Sequence, residues 1–175
     1  MLKIDIKIKM EEKENFKDVH NLIKKAFESA KHSDGNEQDL VDSLRNGNGF
    51  IPELSLVAKI NGMLVGHIMF SKAKVGEIDV VALAPVSVLP EYQNMGVGTA
   101  LINAGHNIAE ELGYGYSVVL GSEDYYPRFG YVQSELLGVE TMDGVSKENF
   151  MVKQLSQYVD SISGKMIYAK EFNIE

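Results

Sequence analysis

The spacing of apolar and polar residues predicts a strand followed by two helices at the start of the chain. Ile4, Ile6 and Ile8 alternate with polar residues, as in a strand with one buried face. Over about 13–30, apolar residues recur at helical spacing, which predicts an amphipathic helix. The same spacing predicts a second, shorter helix over 37–45.

The middle of the chain is rich in β-forming residues and contains one strong turn signal. Two such runs flank Asn61-Gly62, a dipeptide typical of tight hairpins, and they predict strands at about 54–60 and 63–74. A third strand is predicted at about 77–89. Apolar residues at helical spacing then predict a helix over about 97–112.

The rest of the chain predicts weaker elements. The run "YSVVLG" is typical of a buried strand, and "SEDYYPRFGY" indicates a short helical turn that leads to another strand at Tyr131. We interpret "ENFMVKQL" and "KMIYAKEF" as a pair of strands around Ser163-Gly164. Because no repeat or linker is visible, we expect a single α/β (α+β) domain over 1–175, with 134–175 as a C-terminal extension that adds strands to it.

Composition and charge narrow the function classes. The chain is 45% hydrophobic and 24% charged, which is ordinary for a soluble globular protein. No apolar run reaches the roughly 18–20 residues needed to span a bilayer. The N-terminus, Met1-Leu2-Lys3-Ile4-Asp5, lacks the apolar block of a signal peptide, so we expect a cytoplasmic protein without a membrane partner. A net charge of −8 and the lack of a basic footprint argue against nucleic-acid binding.

The chain contains no cysteine. Disulfides, metal sites of the cysteine type and a cysteine nucleophile are therefore excluded. We predict no metal site, and an enzyme of this composition must use other groups or a cosubstrate that carries the reactive atom.

The most informative stretch is a glycine turn between the third predicted strand and the helix after it. It runs Gln93-Asn94-Met95-Gly96-Val97-Gly98. A dinucleotide fingerprint would need a glycine where the chain has Leu101, and a phosphate-binding Walker loop would need a lysine that Gly98-Thr99-Ala100 lacks. Two interpretations remain: a plain strand-to-helix connection, or a pyrophosphate held by the amides of 93–99 at the helix N-terminus. In the second, Gly96 and Gly98 remove Cβ atoms that would block the ligand.

Two motifs resemble those of a known family. The stretch "PEYQNMGVGTALI" resembles the coenzyme A signature of the GNAT N-acetyltransferases, Q/R-x-x-G-x-G/A. The stretch "YYPRFGY" resembles their Tyr-x-x-x-Gly-Phe segment, with Tyr126 four positions before Gly130 and Tyr131 in place of the phenylalanine. Longer runs, "PELSLVAKINGMLVGHIMFS", "VVLGSEDYYPRFGY" and "FMVKQL", are similar to the bacterial YhbS-like subgroup. The resemblance implies the GNAT acyl-CoA N-acyltransferase fold, a mixed and mostly antiparallel sheet flanked by helices and splayed at the coenzyme A site.

The same resemblance implies an acetyl-CoA-dependent N-acetyltransferase that transfers an acetyl group directly to a primary amine. Tyr126 is the implied general acid for the leaving thiolate, and a one-residue error in the turn would give this role to Tyr125. Pro85 is expected at a bulge of the signature strand. Arg128 has two interpretations, contact with a coenzyme A phosphate or with solvent alone. Dimers are frequent in the family, which leaves a homodimer open, although no residue pattern here specifies an interface. The implied acetyl-CoA contacts are Val86, Ser87, Val88, Gln93, Asn94, Met95, Gly96, Val97, Gly98 and Thr99.

The general base stays unassigned. Many members of the family carry a glutamate on the signature strand, where this chain has Ala84-Pro85. The alternatives are His67, Glu53, Asp79 and Ser87. The missing acid leaves open a non-catalytic acyl-CoA-binding or regulatory protein of the same fold.

Two acids at the start of the second predicted helix, Glu37 and Asp39, have two interpretations. They could attract an ammonium group of the acceptor, because this helix borders the acceptor cleft in the family. Acids in the first turn of a helix also stabilise it by interacting with its dipole.

Overall fold

A mixed β-sheet forms the centre of the structure, a computed structural model that describes residues 3–28, 30 and 33–173. The strands are β1 (Ile6–Met10), β2 (Phe50–Ile60), β3 (Met63–Val75), β4 (Ile78–Val88), β5 (Tyr116–Leu120), β6 (Val132–Gln133), β7 (Phe150–Gln154) and β8 (Met166–Ile167). Their order is β1-β2-β3-β4-β5-β7-β6, and β8 pairs with β3. The β4–β5 pair is parallel, and the other pairs are antiparallel.

Helices cover both faces of this sheet. They are α1 (Phe16–Phe27), α2 (Glu37–Arg45) and α3 (Val97–Glu111). A 3₁₀ segment, Lys13–Asn15, precedes α1, and another, Tyr126–Phe129, follows β5.

Successive residues of the central strands belong to different cores because they point to opposite faces of the sheet. On β2, Leu56 packs in the core that contains α3, whereas Val57 packs in the core that contains α1 and α2. Ile68 and Met69 of β3 divide in the same way. The sheet therefore separates α3 from the α1–α2 pair.

The predicted fold class is confirmed, since the sheet is mixed and mostly antiparallel with helices on its faces. The helix α2 has the predicted bounds, and α3 ends one residue before the predicted end. The α-helical part of the first predicted helix begins at Phe16, because its first turn is the 3₁₀ segment. The strand β2 begins at Phe50, four residues before its predicted start.

The predicted pairing of the two C-terminal strands is wrong. Both strands exist, but β7 lies between β5 and β6, and β8 pairs with β3. Phe150, Met151 and Val152 of β7 are all buried, and a strand buried on both faces belongs inside a sheet rather than in an isolated hairpin. The β8 strand pairs with Lys74 and Val75, beyond the part of β3 that β2 covers.

Parts of three sequence predictions lie outside the described residues. These are Met1 and Leu2 of the N-terminal stretch, Ser29 of the predicted first helix, and Ile174 and Glu175 of the C-terminal extension. Within the described residues, no helix is long and apolar enough to cross a membrane.

Candidate active site

A cleft opens where the two parallel strands stop pairing. The paired residues are Val81–Leu83 of β4 and Ser117–Val119 of β5, although β4 continues to Val88. At this point Ala84 and Pro85 oppose the single residue Met69 of β3, which forms a bulge. The bulge expected at Pro85 is therefore present, and β4 is left with an edge that β5 does not cover.

This cleft has a volume of about 800 Å³ and is bordered by β4, β5, the start of α3 and the segment after β5. Its wall contains Leu83, Ala84, Pro85, Val86, Val88, Tyr92, Gln93, Asn94, Gly96, Val97, Gly98, Thr99, Leu120, Gly121, Ser122, Tyr125, Tyr126 and Arg128. Phe27 of α1 and Glu37 and Leu40 of α2 complete it. Most of the implied acetyl-CoA contacts thus lie in one cavity.

Two of those ten residues do not line the cleft. The side chain of Ser87 is buried, with 2% exposure, and lies beside His67 of β3. The side chain of Met95 is 44% exposed and is not part of the cleft wall. The other eight contribute atoms to the cleft wall.

The turn before α3 has the backbone conformation that its sequence suggests. Gly96 has a φ of +89°, which side chains rarely adopt, and Asn94 has a φ of +64°. Gly96 is the N-terminal cap of α3, so the amides that follow it have no acceptor inside the helix. The positive end of the helix dipole and these amides together suit an anion.

Gly98 makes close packing against a tyrosine feasible. A Cβ atom at this position would lie 2.6 Å from the hydroxyl oxygen of Tyr125. The Tyr125 hydroxyl therefore lies at the first turn of α3. Arg128 holds this tyrosine in place, with its guanidinium 4.6 Å from the ring centre and its Nε donating to the Tyr125 carbonyl at 3.3 Å.

Tyr126 lies deeper in the same wall. It is 8% exposed, and its ring packs edge-to-face against Tyr125 at 5.1 Å and against Tyr131 at 5.7 Å. Burial raises the pKa of the Tyr126 phenol, and the neighbouring Tyr125 raises it further. Burial also raises the pKa of Tyr125, against the opposing effect of Arg128. Both phenols are therefore protonated at neutral pH.

The structure places none of the four base candidates in the cleft wall. His67 is fully buried, with its Nε2 3.1 Å from the Ser55 hydroxyl, and burial with the nearby Arg45 lowers its pKa to about 3. Glu53 borders a separate groove of about 230 Å³. Asp79 forms an ion pair with Lys74 at 2.9 Å on the surface. Ser87 is buried. Among the described residues of the wall, Glu37 is the carboxylate.

A buried charge network, which the sequence pattern did not indicate, holds α2 against the sheet. Arg45 donates to both carboxylate oxygens of Glu11, at 2.9 and 2.6 Å, and Ser55 donates to Glu11 at 2.9 Å. The side chains of Arg45 and Glu11 are 6% and 1% exposed. Because the contact joins residues 34 positions apart, no local signal could reveal it. It positions the helix whose first residue, Glu37, reaches the cleft.

One group has the composition of a metal site but is already used by protein contacts. Ligand atoms of His20, Asp39 and Asp42 lie within 4.8 Å of one another. The Asp42 oxygens contact His20 Nδ1 at 2.7 Å and Arg45 at 2.7 Å, and Asp39 is exposed. This group lies on α1 and α2, outside the cleft wall.

Comparison with known proteins identifies the family. The model of the acetyltransferase (GNAT) family matches residues 16–131. The chain belongs to the GNAT family. Two Escherichia coli relatives, YjhQ and YhbS, are both described as uncharacterized N-acetyltransferases. YjhQ is 40% identical over 124 residues, which cover 69% of this chain and 66% of YjhQ. YhbS is 29% identical over 159 residues, which cover 89% of this chain and 91% of YhbS.

Solved GNAT structures resemble the whole described fold. The structure of YhbS from Escherichia coli in complex with CoA has a TM-score of 0.86 at 27% identity. The match covers 98% of this chain and 93% of the YhbS chain. A GNAT family acetyltransferase from Brucella melitensis in complex with acetyl-CoA has a TM-score of 0.79 at 28% identity, with 96% and 98% covered. The resemblance to the YhbS-like subgroup is thus confirmed.

Proposed function

We propose that this GNAT protein is an acetyl-CoA-dependent N-acetyltransferase that transfers an acetyl group directly to a primary amine. The observation that carries the proposal is the cleft itself. It begins at the edge of β4 that β5 leaves uncovered and ends at the free amides of α3. One cavity therefore offers main-chain hydrogen-bonding groups for an extended ligand and a site for an anion. Its relatives with bound CoA and acetyl-CoA support the choice of ligand.

The residues present fit such a cosubstrate. The amides at the start of α3 would hold the pyrophosphate, and the positive φ of Gly96 lets the backbone present them. Main-chain groups of Val86 and Val88 would bind the pantetheine arm, because β5 does not use that edge of β4. Arg128 adds a cation to the wall of a protein with a net charge of −8.

Acetyl-CoA would supply a thioester whose C–S bond breaks as the C–N bond of the product amide forms. The acceptor ammonium must lose two protons to become the amide nitrogen, one before it attacks the thioester and one as the C–S bond breaks. The leaving sulfur gains one proton, and the other is released to solvent. In this proposal Tyr126 donates the proton to sulfur, and burial keeps its phenol protonated at neutral pH until that step. The chain has no cysteine on which an acyl-enzyme could form, and this supports a direct transfer.

Two measurements on the purified protein test this function. Calorimetric titration with acetyl-CoA and with CoA should show binding, and NADH, the control ligand, should show none. Thiol release from acetyl-CoA should then depend on an added primary amine. Failure to bind either CoA species would refute the proposal. Binding without amine-dependent thiol release would favour the non-catalytic alternative, which the lack of an acid at Ala84-Pro85 of β4 motivates.

A further inference from the structure

The described wall of the cleft carries two charged side chains, and they have opposite signs. Arg128 belongs to the segment after β5 and contacts Tyr125. Glu37 is the first residue of α2 and comes from the other face of the sheet. The remaining wall residues are neutral. The cleft therefore offers one set of contacts for an anion and a separate one for a cation.

Only one of the two carboxylate oxygens of Glu37 has a hydrogen-bond donor among the described residues. Its Oε1 accepts a hydrogen bond from the Asp34 amide at 3.2 Å. Its Oε2 is shielded from solvent and has no hydrogen-bond partner among the described residues. A carboxylate oxygen kept from water without a donor is unfavourable, and a charged donor relieves that cost most effectively.

Two apolar side chains of α1 and α2 line the cleft together with this acid. Leu40 lies one turn further along α2, on the same side of the helix as Glu37. Phe27, the last residue of α1, completes this end of the wall. An ammonium on Glu37 would therefore have an apolar neighbourhood for the carbon skeleton that carries it.

We propose that Glu37, with its apolar neighbours Phe27 and Leu40, selects the acceptor, and that the selected acceptor is a protonated amine with an apolar body. Glu37 is then a specificity-determining residue that pairs with the ammonium, while Phe27 and Leu40 contact the body. This inference rests on the proposed function, in which acetyl-CoA occupies the α3 end. Asp39 does not line the cleft in the described structure, which makes it a matched control on the same helix turn.

Binding can be measured without turnover. The protein is first saturated with CoA, and 2-phenylethylamine is titrated in by calorimetry. Methylamine tests the apolar body, and 2-phenylethanol, a neutral analogue of similar shape, tests the charge. The titrations are repeated with Glu37→Gln and Asp39→Asn, after thermal unfolding has shown that both variants are folded.

We expect Glu37→Gln to weaken 2-phenylethylamine binding by about tenfold or more, the scale of one charge-assisted hydrogen bond. Asp39→Asn should bind it as the wild type does. Methylamine and 2-phenylethanol should each bind the wild type at least about tenfold more weakly than 2-phenylethylamine. CoA affinity should be the same in all three proteins.

Three results would overturn the inference: equal binding of 2-phenylethylamine by Glu37→Gln and wild type, equal binding of the amine and the alcohol, or no binding of the amine by the wild type. These outcomes differ from a failure of the proposed function. Amine-dependent thiol release with an equal kcat/KM in Glu37→Gln would reject Glu37 and keep the transferase. Amine binding that Glu37→Gln weakens, without thiol release, would keep Glu37 as the amine site and reject the transferase.

Discussion

The departure of this chain from the family motif at Tyr131 leads to a quantitative prediction about stability. The Tyr131 hydroxyl lies 2.8 Å from His106 Nε2 on α3 and 2.7 Å from the Ser117 hydroxyl on β5. The three residues are 2%, 7% and 0% exposed, in the order Tyr131, His106, Ser117. The hydroxyl thus connects a helix to the sheet directly behind Tyr126, whose ring packs on Tyr131.

The substitution Tyr131→Phe keeps the ring and removes this connection. His106 and Ser117 each lose a buried partner, and each orphaned buried polar group costs about 1–3 kcal/mol. With both at the lower part of that range, the free energy of unfolding should fall by about 3 kcal/mol. For a chain of this size the corresponding fall in Tm is about 6–12 °C.

Urea unfolding followed by circular dichroism measures this loss. Tyr158→Phe is the control, because Tyr158 is 87% exposed and its hydroxyl should contribute less than about 0.5 kcal/mol. The double variant Tyr131→Phe with Ser117→Ala removes both hydroxyls of this pair, so Ser117 no longer leaves an unpaired buried hydroxyl. Its loss should therefore be smaller than the sum of the two single losses.

A loss below about 0.5 kcal/mol for Tyr131→Phe would refute the reasoning, because the hydroxyl would then contribute no more than an exposed one. Strict additivity in the double variant would also refute it, since Tyr131 and Ser117 would then act independently.

The remaining predictions concern the cleft and the buried histidines. Tyr126→Phe should lower kcat by about 100-fold or more while the Kd for acetyl-CoA stays within about twofold, and an unchanged kcat would remove Tyr126 from the mechanism. Gly96→Ala should raise the Kd for CoA by about tenfold. Gly62→Ala, with a similar positive φ in the β2–β3 hairpin, should lower stability alike but leave that Kd unchanged. Burial lowers the pKa of His67 to about 3 and of His106 to about 4, so below their ordinary 6.5 the unfolded chain binds protons that the folded chain does not. Stability measured by urea unfolding should therefore fall as the pH decreases from about 6.5 to about 5, and a flat profile would contradict the burial of both rings.

Features that depend on local conformational preference were predictable from the sequence. The turn at Asn61-Gly62 has φ values of +51° and +79°, which that dipeptide adopts readily. The Gly96 turn has the positive φ that only glycine tolerates well, and α2 has its predicted bounds. The motifs that indicated the GNAT family belong to this class, because a bound anion constrains the backbone of one short segment.

Features that depend on distant contacts were decided by the tertiary structure. The partners of β7 and β8 follow from which strand edges remain free, and the hydrogen bonds of Glu11 and Tyr131 join residues 44 and 25 positions away. In the structure, none of the four base candidates lines the cleft; these are His67, Glu53, Asp79 and Ser87. Of the two acids at the start of α2, Glu37 lines it and Asp39 does not. By itself, the sequence determined the elements, the hairpin and the loop proposed to bind acetyl-CoA, because neighbouring residues dictate those conformations. Which acid reaches the cleft was decided only by the packing of α2 on the sheet, because burial and charge pairing depend on residues that are remote in the chain.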